Sequence, residues 1–171
     1  MSVLTRSEIL EEMKAGNIEI DPFSSSDQIG PASIDLYLGN EIRVFKKFDG
    51  IYKVTEDSNY EEITRLVKVA KSFVIRSGDV IHGITRERIR LSENLCAWLE
   101  GRSRFARLGL MVHVTAGLIQ PGVNNRQVLE ITNMGPIPLE LTPGIRICQL
   151  VIQRTSGRAK YEGRFKDQVH P

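Results

Sequence analysis

The stretch Gln127-Val128-Leu129-Glu130-Ile131-Thr132-Asn133-Met134-Gly135-Pro136-Ile137-Pro138-Leu139-Glu140-Leu141-Thr142-Pro143-Gly144-Ile145-Arg146-Ile147-Cys148-Gln149-Leu150-Val151-Ile152-Gln153-Arg154 decides the fold. Three short apolar runs, 127–132, 137–141 and 145–154, are separated by Gly135-Pro136 and Pro143-Gly144. Such pairs set turns, and runs of this length between turns are strands. Moving outward, the same grammar recurs at 110–114, 95–99, 80–85, 71–75, 41–45 and 33–38, with Gly78-Asp79 and Gly122 as punctuation. Many short strands at near-regular spacing predict an all-β sandwich or barrel.

The ends of the chain differ from this body. Thr5 and Glu8 make a capping-box pair, Ile9, Leu10 and Met13 form an apolar stripe, and Gly16 is placed to stop a short N-terminal helix. Residues 46–66 are polar and irregular and predict a long connection with little structure. The tail around Tyr161, Arg164, Phe165 and Gln168 is polar and aromatic without apolar periodicity. The 171 residues suit one domain, and a net charge of +2 argues against a surface dedicated to nucleic acid. Cys96 and Cys148 lie far apart in apolar settings and read as reduced, buried thiols. No apolar run approaches the ~18 residues of a membrane span, and the start lacks a signal-peptide pattern. A cytoplasmic protein is expected.

Two segments carry chemistry. Residues 101–110, Gly-Arg-Ser-Arg-Phe-Ala-Arg-Leu-Gly-Leu, pack three arginines and a hydroxyl into ten positions. Guanidinium forks suit phosphate oxygens, though a solvated turn between apolar segments has the same composition. In the second segment, Leu129 and Ile131 share one strand face while Val128, Glu130 and Thr132 share the other. Glu130 is either an ordinary solvent-facing acid or a base whose pKa burial raises. His113 reads as a packed or hydrogen-bonding histidine, because His82 and His170 stand at no metal-binding spacing from it. The zinc-deaminase, P-loop and dinucleotide glycine patterns are missing.

Together these segments resemble the dCTP deaminase and dUTPase superfamily, close to its deaminase branch. Ile20-Asp21-Pro22-Phe23 and residues 31–40 resemble the N-terminal signature, 101–110 the phosphate motif, and 113–117 with 128–131 the base pocket. The resemblance implies a mainly β fold, a distorted β-barrel of the dUTPase-like, β-clip type with a short N-terminal helix. It implies a domain over 1–158 and a flexible nucleotide-closing segment over 159–171. It implies a homotrimer with sites at subunit interfaces, dCTP or dUTP as partner, no nucleic acid or membrane, and Mg2+ carried by the triphosphate without zinc. Glu130 would be the general base, with Ser103 holding the water and Arg107 in the same network. Arg102, Ser103, Arg104, Phe105, Ala106 and Arg107 would form the phosphate side. Ala116, Val128 and Leu129 would frame the base, Gln120 would meet the sugar, and Gln149, Tyr161, Arg164 and Gln168 would complete the site. The chain has Ile119-Gln120 where the family has Ile-Asp, and Arg104 where it has a second serine. Thr115-Ala116-Gly117 and Gln149 resemble bifunctional members that carry dCTP to dUMP. A plain dUTPase and a catalytically weak nucleotide-binding regulator are the other readings the resemblance leaves.

Overall fold

An apolar start at Val80-Ile81 and a charged second half over 85–90 together form one long strand, which anchors the largest sheet. The computed structural model describes residues 2–113 and 115–171. Its opening helix α1 (Arg6–Lys14) is entered through the capping box, with the Thr5 N–H donating to Glu8 at 2.9 Å, and Gly16 follows at φ +74°. The strands, with two short helices, are β1 (Ile18–Asp21), β2 (Ile34–Tyr37), β3 (Glu41–Phe45), α2 (Tyr60–Ile63), β4 (Thr64–Lys68), β5 (Phe73–Ile75), β6 (Val80–Leu91) and β7 (Leu95–Gly101). They continue with α3 (Ser103–Ala106), β8 (Leu110–Val112), β9 (Leu118–Ile119), β10 (Asn124–Asn133), β11 (Leu139–Leu141) and β12 (Arg146–Arg154).

One sheet runs β4-β3-β6-β10-β8, with β1 also on β6. A second runs β2-β12-β7-β9, and β11 pairs with β5. The pairs are antiparallel, and the sheets do not close on one another. The molecule is mainly β, a distorted barrel. Its core is filled from the inward faces by Ile34, Leu36, Ile89, Leu99, Leu129, Ile131, Leu150 and Ile152, all essentially without solvent contact. Burial of each contributes about 1.5–3 kcal/mol relative to exposure. Asn133, also buried, donates to the Ile75 and Ile137 carbonyls and so ties the turn after β10 to β5. Among the described residues, no helix is long and apolar enough to cross a membrane.

Two expectations are corrected. Residues 46–66 are not structureless, because α2 lies wholly within them and β4 begins there and pairs with β3. Thr64–Lys68 escapes detection since an edge strand with polar, charged side chains lacks strong alternation. The strand beginning at Val80 runs on to Leu91 rather than stopping at Thr85. The run at 110–114 is a strand over Leu110–Val112, and Val114 lies outside the described residues.

The β6–β10 pairing contains an irregularity that shapes the site. Arg126 stands opposite Arg88 and Val128 opposite Ile84, so Thr85, Arg86 and Glu87 face Gln127 alone. Bulges bend and twist a strand locally. The Thr85 hydroxyl accepts from the Gln127 N–H at 3.0 Å and donates to the Glu87 carbonyl at 2.8 Å. The fully buried Glu87 carboxylate accepts from the Tyr37 N–H at 2.9 Å and from Arg86 at 3.1 Å. Burial nevertheless pushes its carboxyl above the usual range.

Candidate active site

Because side chains alternate along β10, Leu129 and Ile131 enter the core while Glu130 leaves the opposite face. That face lines a cavity of about 510 Å³ together with His82, His113, Ala116, Gln120, Asn125, Gln127 and Val128. Tyr60 closes one side, and Tyr161, Phe165 and Gln168 from the tail close another. This is the size range of a small-molecule site.

Glu130 is half-buried, and its Oε2 lies 2.7 Å from His113 Nδ1. The two atoms are not aligned for a well-formed hydrogen bond, and neither has a hydrogen-bond partner among the described residues. The contact is therefore an ion pair. His113 sits at φ 57°, a left-handed conformation uncommon for a residue with a side chain. Its backbone N–H donates to the Glu130 carbonyl at 2.9 Å, and its Nε2 meets the Ala116 carbonyl at 3.0 Å. With a carboxylate beside one ring nitrogen and a carbonyl bonded to the other, the imidazolium is the favoured form. Burial favours the neutral ring, but Glu130 and the Ala116 carbonyl outweigh it and the pKa is raised. For Glu130, burial acts upward, as the sequence suggested, but the His113 contact prevails and the net shift is downward. The spacing of residues along the chain does not show the His113 contact.

The family model for dCTP deaminase-like proteins matches residues 3–155. The chain belongs to the dCTP deaminase-like family. A Methanobrevibacter smithii protein named dCTP deaminase, dUMP-forming, is 36% identical over 100% of this chain and 93% of its own length. A Marinomonas dCTP deaminase is 39% identical over 95% of this chain and 91% of its own. A dUMP-forming dCTP deaminase of Halobacterium salinarum is 37% identical over 99% and 92%. The 2'-deoxycytidine 5'-triphosphate deaminase of Agrobacterium tumefaciens superposes with a TM-score of 0.71 at 21% identity, covering 90% of this chain and 48% of that one. The dUTPase of Staphylococcus aureus phage phi11 gives 0.53 at 13% identity, covering 86% and 96%. At these identities the two structures speak for the fold, which is dUTPase-like.

Within this family member, the residues expected at the site divide into groups. Ala116, Gln120, Val128, Tyr161 and Gln168 share the cavity with Glu130. Leu129 does not, since its side chain is wholly buried and only its backbone is available. Ser103 and Ala106 line a second hollow, of about 450 Å³, with His113, Thr115 and Gly117. Arg104 and Arg107 are exposed and have no ion-pair partner among the described residues. Arg102 is committed elsewhere, to Asp35 at 3.1 Å and the Arg146 carbonyl at 3.0 Å, and so does not stand free for phosphate. Phe105 packs against the core. Gln149 bonds the Gly101 carbonyl at 3.4 Å and accepts from Ser33 at 3.3 Å, on the β7–β12 seam. Arg164 reaches the Ser58 carbonyl at 3.5 Å, outside the Glu130 cavity.

The tail runs along the loop before β10 and its first residues. Tyr161 N–H donates to Pro121, Arg126 and Gln168 exchange two hydrogen bonds, and Asn125 donates to the Phe165 carbonyl. Sequence reasoning missed His82, Tyr60, Asn125 and Gln127. For His82 a signal existed, as it shares strand parity with the polar face of β6; Tyr60 lies in the stretch read as irregular. Among the described residues, no three His, Cys, Asp or Glu side chains gather as a metal cage.

Proposed function

We propose that this chain deaminates dCTP to dUTP and ammonia, with Glu130 as the general base and without zinc. The observation that carries the reading is Glu130 itself: an ionised carboxylate on a rigid strand, in a nucleotide-sized cavity beside the Ala116 backbone, in a chain of the dCTP deaminase-like family. Its carboxylate takes a proton from water as that water attacks C4 of cytosine and passes it to N3, then moves the second proton from the new C4 hydroxyl to the amino group, which leaves as ammonia. A lowered pKa keeps Glu130 ionised at neutral pH, and a pyrimidine filling the cavity deepens its burial and restores basicity. Ser103 holds the water, Val128 and the backbone at Ala116 frame the base, and Gln120 bonds the sugar.

In this reading Ser103, Arg104 and Arg107 serve the cavity of a neighbouring copy in a homotrimer, since within one chain none of them lines the Glu130 cavity. The exposed Trp98, Leu108, Leu118 and Met134 are the kind of apolar surface such assembly covers. The segment 159–171 opens to admit nucleotide and closes to exclude water. Mg2+ arrives with the triphosphate as part of the substrate, and the setting is cytoplasmic, with no nucleic acid or membrane involved. A second reading, direct formation of dUMP, is favoured by the names of two relatives and by Thr115-Ala116-Gly117. Against it stands Gln120, whose amide cannot serve as a base. Incubation with dCTP and Mg2+ tests these readings. Ammonia with loss of cytosine absorbance and no diphosphate is the expected result; diphosphate from dCTP establishes the dUMP-forming enzyme, and diphosphate from dUTP alone a dUTPase. Saturable binding without any product overturns both enzyme readings in favour of a regulator.

A further inference from the structure

His82 has no part in the scheme above, yet it occupies the floor of the same cavity. Three strands place it in a row. On β6 it pairs directly with Glu130 on β10 and with Arg43 on β3. Directly opposed residues on one face of a sheet lie about 4.5–5.5 Å apart at Cβ. The row therefore reads Arg43, His82, Glu130, with His113 against the far side of the carboxylate. The ring of His82 is braced edge-on by Phe45 and Tyr60, each with its centroid 5.5 Å away. Arg43 is held in turn by Glu61 at 2.9 Å and lies over the Tyr60 ring at 5.4 Å.

We propose that His82 is a positioning residue for Glu130, setting the charge of the carboxylate from across the strand pair, so that the acid limb of activity belongs to the two groups jointly. The proposal rests on Glu130 being the base. The groups facing His82 are Glu130 from β10, Arg43 from β3 and the Tyr60 phenol from α2, with Glu61 reaching it only through Arg43. Burial and Arg43 favour the neutral ring, Glu130 favours the cation, and the balance lies with the neutral ring near pH 7. Acidification brings a proton to this ring, which stands directly across from the carboxylate. The imidazolium then resists protonation of the carboxylate and extends activity to lower pH.

Two measurements test this. In His82→Phe, which keeps an aromatic ring between Phe45 and Tyr60 but cannot titrate, the acid limb of kcat/KM for dCTP is expected to move up by about one unit. An acid limb superimposable on that of the unsubstituted protein overturns the proposal. Independently of turnover, the NMR titration midpoint of His82 is expected to fall by about one unit in Glu130→Gln. A midpoint that does not move overturns the proposal even if His82→Phe fails to fold. If the unsubstituted protein releases no ammonia from dCTP while the midpoint still moves, the deaminase reading fails and the His82–Glu130 coupling stands.

Discussion

Glu130 and His113 show how one contact reverses an expectation drawn from burial alone. Of the two readings open to Glu130, an ordinary acid or one that burial raises, neither includes the imidazole that at 2.7 Å holds it low. The partnership was unreadable in the sequence because sixteen residues lie between the two and His113 itself takes a left-handed conformation. Which face of β10 carries Glu130 was legible, since strict alternation around Leu129 and Ile131 leaves one solution. The pair has a pH signature. The lowered Glu130 contributes stability above its ordinary value of 4.5, lost as pH falls through its folded value. The raised His113 contributes stability that is full below 6.5 and is lost as pH rises through its folded value. His113→Asn is therefore expected to melt lower by the widest margin between 4.5 and 6.5, with the deficit shrinking on either side. Its size is on the order of 1–3 °C, because the half-exposed carboxylate is screened by water. Thermal melts across pH check the window.

At the scale of elements, the strands flanked by Gly and Pro turns were legible, as was the cap of α1. The polar edge strand β4 and the charged second half of β6 were not, because neither announces itself by hydrophobicity. The bulge between β6 and β10 was equally hidden, since register is a property of two strands. Its keystone is Thr85, whose hydroxyl takes the place of a ladder carbonyl for the Gln127 N–H. Thr85→Val preserves shape and leaves that amide without its acceptor. A cost of about 1–3 kcal/mol is expected, read as a lower midpoint in urea unfolding. The glycine at the entry to β8 is a second constraint: Gly109 has φ +87°, and a Cβ there would lie 2.5 Å from Gly135. Gly109→Ala is expected to destabilise the chain by several kelvin in thermal melts, from combined strain and overlap.

Across the whole molecule, the expected site residues divide between two places. Glu130, Gln120 and the tail gather in one cavity, while Arg104 and Arg107 stand elsewhere on the same chain. Motif order along the sequence reveals which residues a family uses; it does not reveal which copy supplies them. A shared site makes a distinctive prediction. Arg107→Ala and Glu130→Gln, each inactive alone, should regain about a quarter of full activity when mixed and reassembled in equal amounts, by random assortment of subunits. Mixtures that stay inactive would place both residues at one chain's site. Glu130 as the base performs the chemistry rather than the binding. Its most direct test compares Glu130→Gln with the unsubstituted protein, measuring ammonia release from dCTP and calorimetric dCTP affinity on the same preparations. Turnover is expected to fall by roughly 10²–10⁴-fold or more with affinity nearly unchanged. Turnover retained in the variant would contradict it.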